Sequence, residues 1–226
     1  MFIVRPPALI TKLLFDLTWR IPTREKIIYL TFDDGPIPET TPKILKILDD
    51  YNAKATFFCV GENVEKHPDL FMEVKNKLHA VGNHTYNHLK GWSTPNFVYF
   101  RNVEKADALI HSSLFRAPYG KITRAQQSTL TKKYNIVMWD VLTGDYDSRI
   151  SPEQCLQNAL NYTREGSVIV FHDSIKAKKN MLFALPKVLE HYSNLGYKFK
   201  AITTEVLTQK ERYQTQLEPQ LAPLFR

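Results

Sequence analysis

The stretch IIYLTFDDGP, residues 27–36, is a continuous apolar run that ends in two adjacent carboxylates and a Gly-Pro pair. An apolar run of this length and composition predicts a buried strand over residues 27–32. Asp33 and Asp34 disfavour each other's ionisation, so the pair needs a cation, a hydrogen-bond donor or open water nearby. An ordinary surface turn is the alternative interpretation, because Asp, Gly and Pro all favour turns.

Strand and helix patterns alternate along the chain outward from this stretch, about seven times. Further strands are predicted at residues 55–60, 79–83, 113–116, 135–141, 167–171 and 197–202. Helices are predicted at residues 41–51, 68–78, 97–110, 124–134, 152–162 and 185–194. Near-continuous apolar strands such as SVIVF belong in a parallel sheet that helices cover. We therefore expect an α/β fold, an incomplete (β/α)7 barrel with parallel strands, with an open doubly wound sheet as the alternative.

The composition indicates a globular protein with one large domain. The chain has 226 residues and 43% hydrophobic content, which favours one α/β domain over two small ones. The net charge of +7 and the pI near 9.3 would suit an anionic partner. The basic residues are spread along the chain, however, whereas a nucleic-acid-binding face concentrates them, so we expect no nucleic-acid partner. Cys59 and Cys155 are expected to be buried free thiols.

Residues 1–26 are expected to form an amphipathic helix and a lead-in to the domain. Lys12, Asp16 and Arg20 fall four apart and would form a polar ridge, opposite an apolar side formed by Leu9, Ile10, Leu13, Leu14 and Leu17. We expect this helix to close the bottom of the barrel, and an interfacial membrane helix is the alternative. No convincing signal peptide is visible, so we expect a cytoplasmic protein, with the inner membrane face as a further option. Residues 205–226 are expected to be a polar tail.

Polar residues follow the carboxyl ends of five predicted strands, where parallel barrels collect their chemistry. They are Asp33 and Asp34, His84 and His88, Arg116, the WDVLTGDYD segment, and His172. His84 and His88 would present both rings to one point if their loop enters a helical turn, and either aspartate could supply a third ligand. Two imidazoles and one carboxylate suit Zn²⁺, with Co²⁺, Ni²⁺ or Fe²⁺ as alternatives.

The other aspartate would stay free beside this cation. It could take a proton from a water whose pKa the cation lowers towards about 7. Arg116 would hold that free carboxylate ionised and oriented through a charge-assisted hydrogen bond. His172 would donate a proton to a leaving group, with a carboxylate behind its ring. Together these groups predict metal-assisted hydrolysis of an acyl bond.

The segments TFDDGP, HTYNH, FRAPYG, WDVLTGDY and VFHD resemble, in this order, the five motifs of the polysaccharide deacetylases. These are the family four carbohydrate esterases, which share the nodulation-type chitooligosaccharide deacetylase domain. The resemblance covers nearly all of a catalytic domain expected at residues 27–204. It implies a distorted (β/α) barrel that removes an N- or O-acetyl group from a sugar, usually N-acetylglucosamine.

The resemblance also implies a role for each residue of the site. Asp33 is the implied general base, tethered by Arg116, and His172 is the implied general acid, tuned by Asp145. The implied metal ligands are Asp34, His84 and His88. The backbone amide of Tyr119 would share the oxyanion with the metal. Substrate contacts are expected from Tyr119, Tyr146 and Trp139.

The fourth motif departs from the family pattern at two positions. Leu142 stands where family members commonly carry an aspartate, and Tyr146 stands where they carry a tryptophan. The tyrosine changes the wall of the acetyl pocket, so the departure bears on substrate size and sugar identity. Asp140 and Asp147 are further carboxylates nearby, which we expect to be solvated loop residues rather than ligands.

We therefore predict a metal-dependent hydrolase that removes N-acetyl groups from acetylated amino sugars. The substrate would be a glycan, an oligosaccharide or a lipid-linked precursor. An amidohydrolase that acts on a non-sugar amide is one alternative, and a catalytically silent glycan-binding domain is another. The amphipathic first helix and the basic surface add peripheral membrane association as an expectation, whereas nothing in the sequence indicates an oligomeric state.

Overall fold

One sheet of eight strands with parallel pairing forms the centre of the computed structural model, which describes residues 3–14 and 16–208. The strands are β1 (Ile27–Asp33), β2 (Thr56–Cys59), β3 (Ala80–Asn83), β4 (Leu114–Phe115), β5 (Asn135–Ile136), β6 (Val141–Leu142), β7 (Val168–His172) and β8 (Lys198–Phe199). The helices are α1 (Ala8–Leu13), α2 (Thr41–Asp50), α3 (Gly61–Lys66), α4 (Pro68–Asn76), α5 (Asn96–Ile110), α6 (Arg124–Leu130), α7 (Pro152–Tyr162) and α8 (Lys178–Asn194).

The order of the strands is that of a barrel with one opening. It runs β5-β4-β3-β2-β1-β7-β6, and β8 pairs with the beginning of β1. This order follows the chain around a ring that is interrupted only between β5 and β6, whereas a doubly wound sheet reverses direction at a switch point. The arrangement agrees with the predicted incomplete barrel rather than with the open sheet.

Strand β1 lies in the middle of the sheet, and every one of its residues is buried. Phe32 stacks on Phe57 and on Phe171, with ring centroids 5.0 and 6.1 Å apart. Burial on both faces explains why this strand reads as a continuous apolar run rather than an alternating one. The pairing register aligns Asp33 with His172 at the end of β7, so the buried strand brings both residues to one edge.

The prediction of a single strand over residues 135–141 is wrong. These residues form β5 and the beginning of β6, which lie at opposite edges of the sheet, and residues 137–140 cross the opening between them. Val137, Met138 and Asp140 of this segment are buried, and apolar periodicity alone does not distinguish a strand from a buried crossing segment. The carbonyl groups of Val137 and Met138, freed from a ladder, accept hydrogen bonds from Arg116 instead.

Helix positions agree with the sequence patterns, and three details differ. α6 ends at Leu130 because residues 131–134 form a turn that leads into β5. α8 begins at Lys178, seven residues before the predicted start. Its first residues are polar, so no apolar period in the sequence marked them as helical. The short helix α3 was not predicted. Cys59 and Cys155 are free and buried, as expected.

The N-terminal region differs most from its prediction. α1 has six residues, none of them buried, and it ends before Asp16 and Arg20, so the polar ridge does not form on one helix. It also does not close the bottom of the barrel. Ile10 instead lines the cavity at the carboxyl ends of the strands, together with Asp33.

Residues 4–14 and 16–21, which we call the N-terminal strap, span the opening between β5 and β6. At the β6 edge, the carbonyl of Val4 accepts a hydrogen bond from the amide of Leu142, at 2.8 Å. At the β5 edge, the backbone of Thr18 bonds to the carbonyl of Ile136 and the amide of Met138, at 2.9 and 2.7 Å. The strap therefore closes the barrel where the strands do not.

Asp140 and Asp147 were expected to be solvated, and both are buried instead. Asp140 forms polar contacts with the side chains of Arg5, Arg164 and Ser167. Asp147 accepts hydrogen bonds from the guanidinium of Arg149, the shorter at 2.6 Å. These partners explain the burial, since a charged group is buried only when it is paired. Within the ranges that the structure describes, no helix has the length and apolarity that a membrane crossing requires.

A matched pair of glycines tests the contact between the strap and the sheet. Gly166 and Gly196 both have left-handed φ values, +73° and +80°. An added Cβ would lie 1.9 Å from the carbonyl oxygen of Ile21 at Gly166, and would meet nothing within 4 Å at Gly196. We expect Gly196→Ala to lower the free energy of unfolding by about 1 kcal/mol, and Gly166→Ala to lower it by about 2 kcal/mol more because the strap must move. Urea unfolding measures both, and equal losses would contradict the described contact.

Candidate active site

A cavity of about 750 Å³ opens at the carboxyl ends of the strands. Its lining includes eight of the residues that the sequence predicts for the site: Asp33, Asp34, His84, His88, Tyr119, Trp139, Tyr146 and His172. The remaining two predicted residues lie directly behind the lining, since Arg116 contacts Asp33 and Asp145 contacts His172. The fold thus brings together every side chain that the sequence analysis selected.

Asp34, His84 and His88 form a group that could hold a cation. One ligand atom from each lies within 4.8 Å of the others. Asp34 Oδ1 is 3.9 Å from Nε2 of His84 and 3.3 Å from Nε2 of His88. Among the described residues, this buried oxygen has no hydrogen-bond partner, although buried polar atoms normally have one. A divalent cation between the three side chains would supply the missing partner, so the residues fit a metal site.

The orientation of His84 also suits a metal ligand. Its Nδ1 lies 2.8 Å from the carbonyl oxygen of Arg116 and donates a hydrogen bond to it, because a carbonyl oxygen only accepts. The lone pair therefore lies on Nε2, the nitrogen that faces Asp34. The pKa of His84 is lowered to about 3, mainly by burial and to a smaller extent by the nearby His88. The ring is therefore neutral, as a metal ligand must be.

The spacing of His84 and His88 would suit a helical turn, but the two histidines do not lie on one. They belong to an irregular loop after β3, in which Thr85 and His88 have φ values of 64° and 59°. Asp34 and Tyr119 have left-handed φ values as well, 89° and 61°. Such conformations of residues other than glycine persist only where the surrounding structure enforces them, and they cluster at functional sites.

Asp33 has an environment quite different from that of Asp34. Its Oδ1 accepts a hydrogen bond of 2.7 Å from Arg116, whose side chain is completely buried. The other guanidinium hydrogen bonds go to Thr31 Oγ1 and to the carbonyl groups of Val137 and Met138, at 2.7 to 3.0 Å. Burial lowers the pKa of Arg116, and the charge of Asp33 raises it. Four hydrogen bonds in one plane hold the guanidinium, and through it the carboxylate, in a single orientation.

His172 is held by both oxygens of Asp145, a buried carboxylate. Its Nδ1 lies 2.8 Å from Oδ1, and its backbone amide donates a hydrogen bond of 2.6 Å to Oδ2. Burial lowers the pKa of His172, but the charge of Asp145 and its hydrogen bond raise it, with smaller contributions from Asp34 and Asp33. The net result is a pKa of about 9, so this imidazole carries a proton at neutral pH.

Sequence reasoning missed Asp173, which braces the loop after Asp34. Its carboxylate is completely buried and accepts hydrogen bonds of 2.7 Å from the amide of Gly35 and from Thr41 Oγ1. A Cβ at Gly35 would lie 1.8 Å from this carboxylate, so only glycine fits there. Burial raises the pKa of Asp173 to about 7, against the hydrogen bond from Thr41. The available signal was the acid directly after His172 in VFHD.

Other parts of the cavity lining were missed as well. The strap contributes Pro6, Pro7, Ile10 and Trp19, and Ile3, just before the strap, lines the cavity as well. Trp92 and Lys121 also line the cavity, as does Lys176, which follows β7. No pattern in the sequence links the strap to the site, because its residues come before the first motif and carry no polar chemistry.

Comparison with known proteins shows which family this constellation of residues represents. The family described as polysaccharide deacetylase matches residues 20–139, and the chain belongs to this family. A peptidoglycan-N-acetylglucosamine deacetylase of Bacillus cereus is 31% identical over 194 residues, which is 83% of this chain and 91% of that protein. A chitooligosaccharide deacetylase of Azorhizobium caulinodans is 33% identical over 171 residues, 68% of this chain and 77% of its own length.

Solved structures confirm the predicted barrel. The crystal structure of a peptidoglycan N-acetylglucosamine deacetylase superimposes with a TM-score of 0.80 at 30% identity, over 87% of this chain and 95% of that one. A mutant of a pseudoenzyme from the same carbohydrate esterase family superimposes with a TM-score of 0.75 at 25% identity, over 84% of this chain and 70% of that one. Because the fold also occurs in a pseudoenzyme, an activity must be argued from the residues of the site.

Proposed function

We propose that this protein is a metal-dependent hydrolase that removes N-acetyl groups from sugars containing N-acetylglucosamine. The observation that carries the proposal is the unequal environment of two adjacent acids. Arg116 holds Asp33, whereas Asp34 faces two imidazoles. The relatives named as deacetylases of peptidoglycan and of chitooligosaccharides support the substrate class. The proposed substrate is a glycan, an oligosaccharide or a lipid-linked precursor of this kind.

The residues that would hold the cation are Asp34, His84 and His88. We propose Zn²⁺, because two imidazoles and one carboxylate leave an open position in the geometry that zinc adopts in catalytic sites. Co²⁺, Ni²⁺ and Fe²⁺ are alternatives with the same ligand types. When bound, such a cation would lower the pKa of water and polarise the acetyl carbonyl.

The proposed roles of the chain's own residues follow from their contacts. Asp33, held in one orientation by Arg116, takes a proton from the water that attacks the acetyl carbon. The backbone N–H of Tyr119 donates a hydrogen bond to the acetyl oxygen as negative charge develops there, a contribution of about 3 kcal/mol for a well-placed donor. His172 gives its proton to the sugar nitrogen while the carbon–nitrogen bond breaks. The products are acetate and the free amine.

Tyr119, Tyr146 and Trp139 are the proposed substrate contacts. The side chain of Tyr119 is 60% exposed and its ring lies 4.6 Å from that of His88, so it can contact a sugar bound beside the proposed metal ligands. The ring of Tyr146 lies 4.8 Å from that of His172. These positions support a pocket in which the acetyl group lies between the metal ligands and the proposed acid.

A pair of variants at the adjacent acids tests the proposed function. Asp33→Asn should lower acetate release from N-acetylglucosamine oligomers by about 10²- to 10⁴-fold, because it removes the base, while bound metal is retained. Asp34→Asn should lose both metal and turnover. Acetate assays with chelation and metal addition, together with metal analysis, measure both effects. Release of acetate from small non-sugar amides alone would favour the amidohydrolase, and absence of turnover on all substrates would favour the silent domain.

The proposed acid predicts a characteristic pH profile. His172 acts in its protonated form, so kcat/KM should fall as the pH rises through the pKa of about 9. Asp145→Asn removes the charge that raises this pKa and leaves the burial that lowers it, so the alkaline limb should move to lower pH by about 2 units. Asp147→Asn, in the same loop but paired with Arg149, serves as the control and should leave the limb in place. An unmoved limb in Asp145→Asn would contradict the assignment.

We also propose peripheral association with a membrane surface, at the inner face if the substrate is a lipid-linked precursor. Leu9 and Leu13 on α1 are 69% and 66% exposed, with Lys12 between them. Apolar residues beside a cation suit the interface of a bilayer with anionic lipids. Flotation with anionic vesicles should recover the protein, and the double variant Leu9→Ser/Leu13→Ser should stay in the dense fraction. Failure of the unmodified chain to float would refute the association.

A further inference from the structure

One wall of the catalytic cavity consists of aliphatic carbon, and most of it comes from outside the motifs. Pro6, Pro7 and Ile10 line the cavity from the strap, next to Ile3, and Leu142 lines it from β6. These side chains offer no hydrogen-bond donor or acceptor, and the two prolines also lack a backbone N–H. These side chains therefore present apolar surface to whatever enters the cavity.

This wall is held in place by specific contacts. The carbonyl of Val4 accepts the hydrogen bond of Leu142, which joins the strap directly to the β6 part of the wall. Arg5 lies between Val4 and Pro6, and its guanidinium contacts the buried carboxylate of Asp140 at 3.3 Å. The same guanidinium donates a hydrogen bond to the carbonyl of Tyr162 at the end of α7. Pairing with a buried acid fixes the strap at the point where the aliphatic wall begins.

The side of the cavity near His88 has a different character. The Tyr119 ring lies there, 4.6 Å from that of His88, and Trp92 also lines the cavity, with Lys121 Nζ 5.3 Å from its ring centroid. The indole N–H of Trp92 donates a hydrogen bond of 2.9 Å to the carbonyl of Ile122, which fixes the ring. Aromatic faces with polar neighbours suit a sugar ring, which has apolar faces and polar edges.

A sugar ring would fit poorly against the aliphatic wall. Its hydroxyl groups would lose water there and find no partner, at a cost that a hydrocarbon does not incur. Ile3 and Ile10, which line the cavity, are 60% and 41% exposed, so they offer apolar surface for a ligand to cover. One side of the cavity therefore suits the hydrocarbon end of an amphiphile, and the other side suits its sugar end.

We propose that the aliphatic wall binds a hydrocarbon chain that the acetylated amino sugar carries as its aglycone. The preferred substrate is then an amphiphilic glycoside rather than a purely polar oligosaccharide. This inference rests on the proposed deacetylase function for the identity of the sugar. The wall itself, however, can be tested by binding alone.

The experiment compares the octyl and methyl β-glycosides of N-acetylglucosamine, both below the micelle concentration of the octyl compound. Binding is measured by calorimetry with the full-length Asp33→Asn variant, and kcat/KM for acetate release is measured with the unaltered protein. Each methylene that leaves water should improve affinity by about fourfold, so we expect at least about tenfold tighter binding of the octyl glycoside. The same preference should appear in kcat/KM, through a lower KM.

Three variants on α1 test whether the strap produces the preference. Ile10→Ser should reduce the octyl-to-methyl ratio by at least about fourfold, and Ile10→Val, which keeps the site apolar, should retain most of it. Leu9→Ser is the matched control, because Leu9 is the neighbouring exposed residue on the same helix and is not part of the cavity lining. Neither Leu9 nor Ile10 is buried, so the fold should tolerate all three changes.

The outcomes separate this inference from the proposed function. Equal affinities for the two glycosides would overturn the hydrocarbon site, as would an equal loss of the ratio in Leu9→Ser and Ile10→Ser. An octyl preference in binding that depends on Ile10, without acetate release from either glycoside, would support the wall and contradict the deacetylase proposal. Acetate release at equal kcat/KM would support the deacetylase and refute the wall.

Discussion

The buried ion pair between Arg116 and Asp33 is the constraint on which the rest of the site depends. Two neighbouring carboxylates at the end of one strand would otherwise compete for the same cation or share a proton. The guanidinium pairs with the carboxylate of Asp33, whereas Asp34 faces His84 and His88. A charge buried this deeply is costly when unpaired, by about 3–5 kcal/mol when one partner of a pair is removed, so the pairing also stabilises the fold.

The ion pair in turn requires the opening in the barrel. Two of the hydrogen bonds that orient Arg116 go to carbonyl groups of the segment that crosses from β5 to β6, and in a closed sheet those carbonyl groups would belong to a ladder. The opening leaves backbone groups and apolar surface that must be covered. The strap covers them, and so the residues that orient the proposed base and the residues that close the barrel belong to one arrangement.

Sequence reasoning succeeded where charged or titratable residues directly follow an apolar strand. Asp33, Arg116 and His172 are such residues, and their positions are better explained by a shared site than by packing. It failed where the signal was apolar or local. The crossing segment reads as part of a strand because burial alone sets its composition, and α1 reads as a packed amphipathic helix because its pattern does not reveal which surface it contacts. Asp173 was missed because its partners, Gly35 and Thr41, are distant in sequence and form no pattern with it. The metal and the roles of the site residues remain predictions.

The strap lies almost entirely before residue 20, where the match to the polysaccharide deacetylase family begins. The start of this match therefore divides the cavity lining, with all the reactive groups after it and Pro6, Pro7 and Ile10 before it. A recombinant protein that began at residue 20 would keep every motif but lose most of the strap, and with it Pro6, Pro7 and Ile10 of the cavity lining.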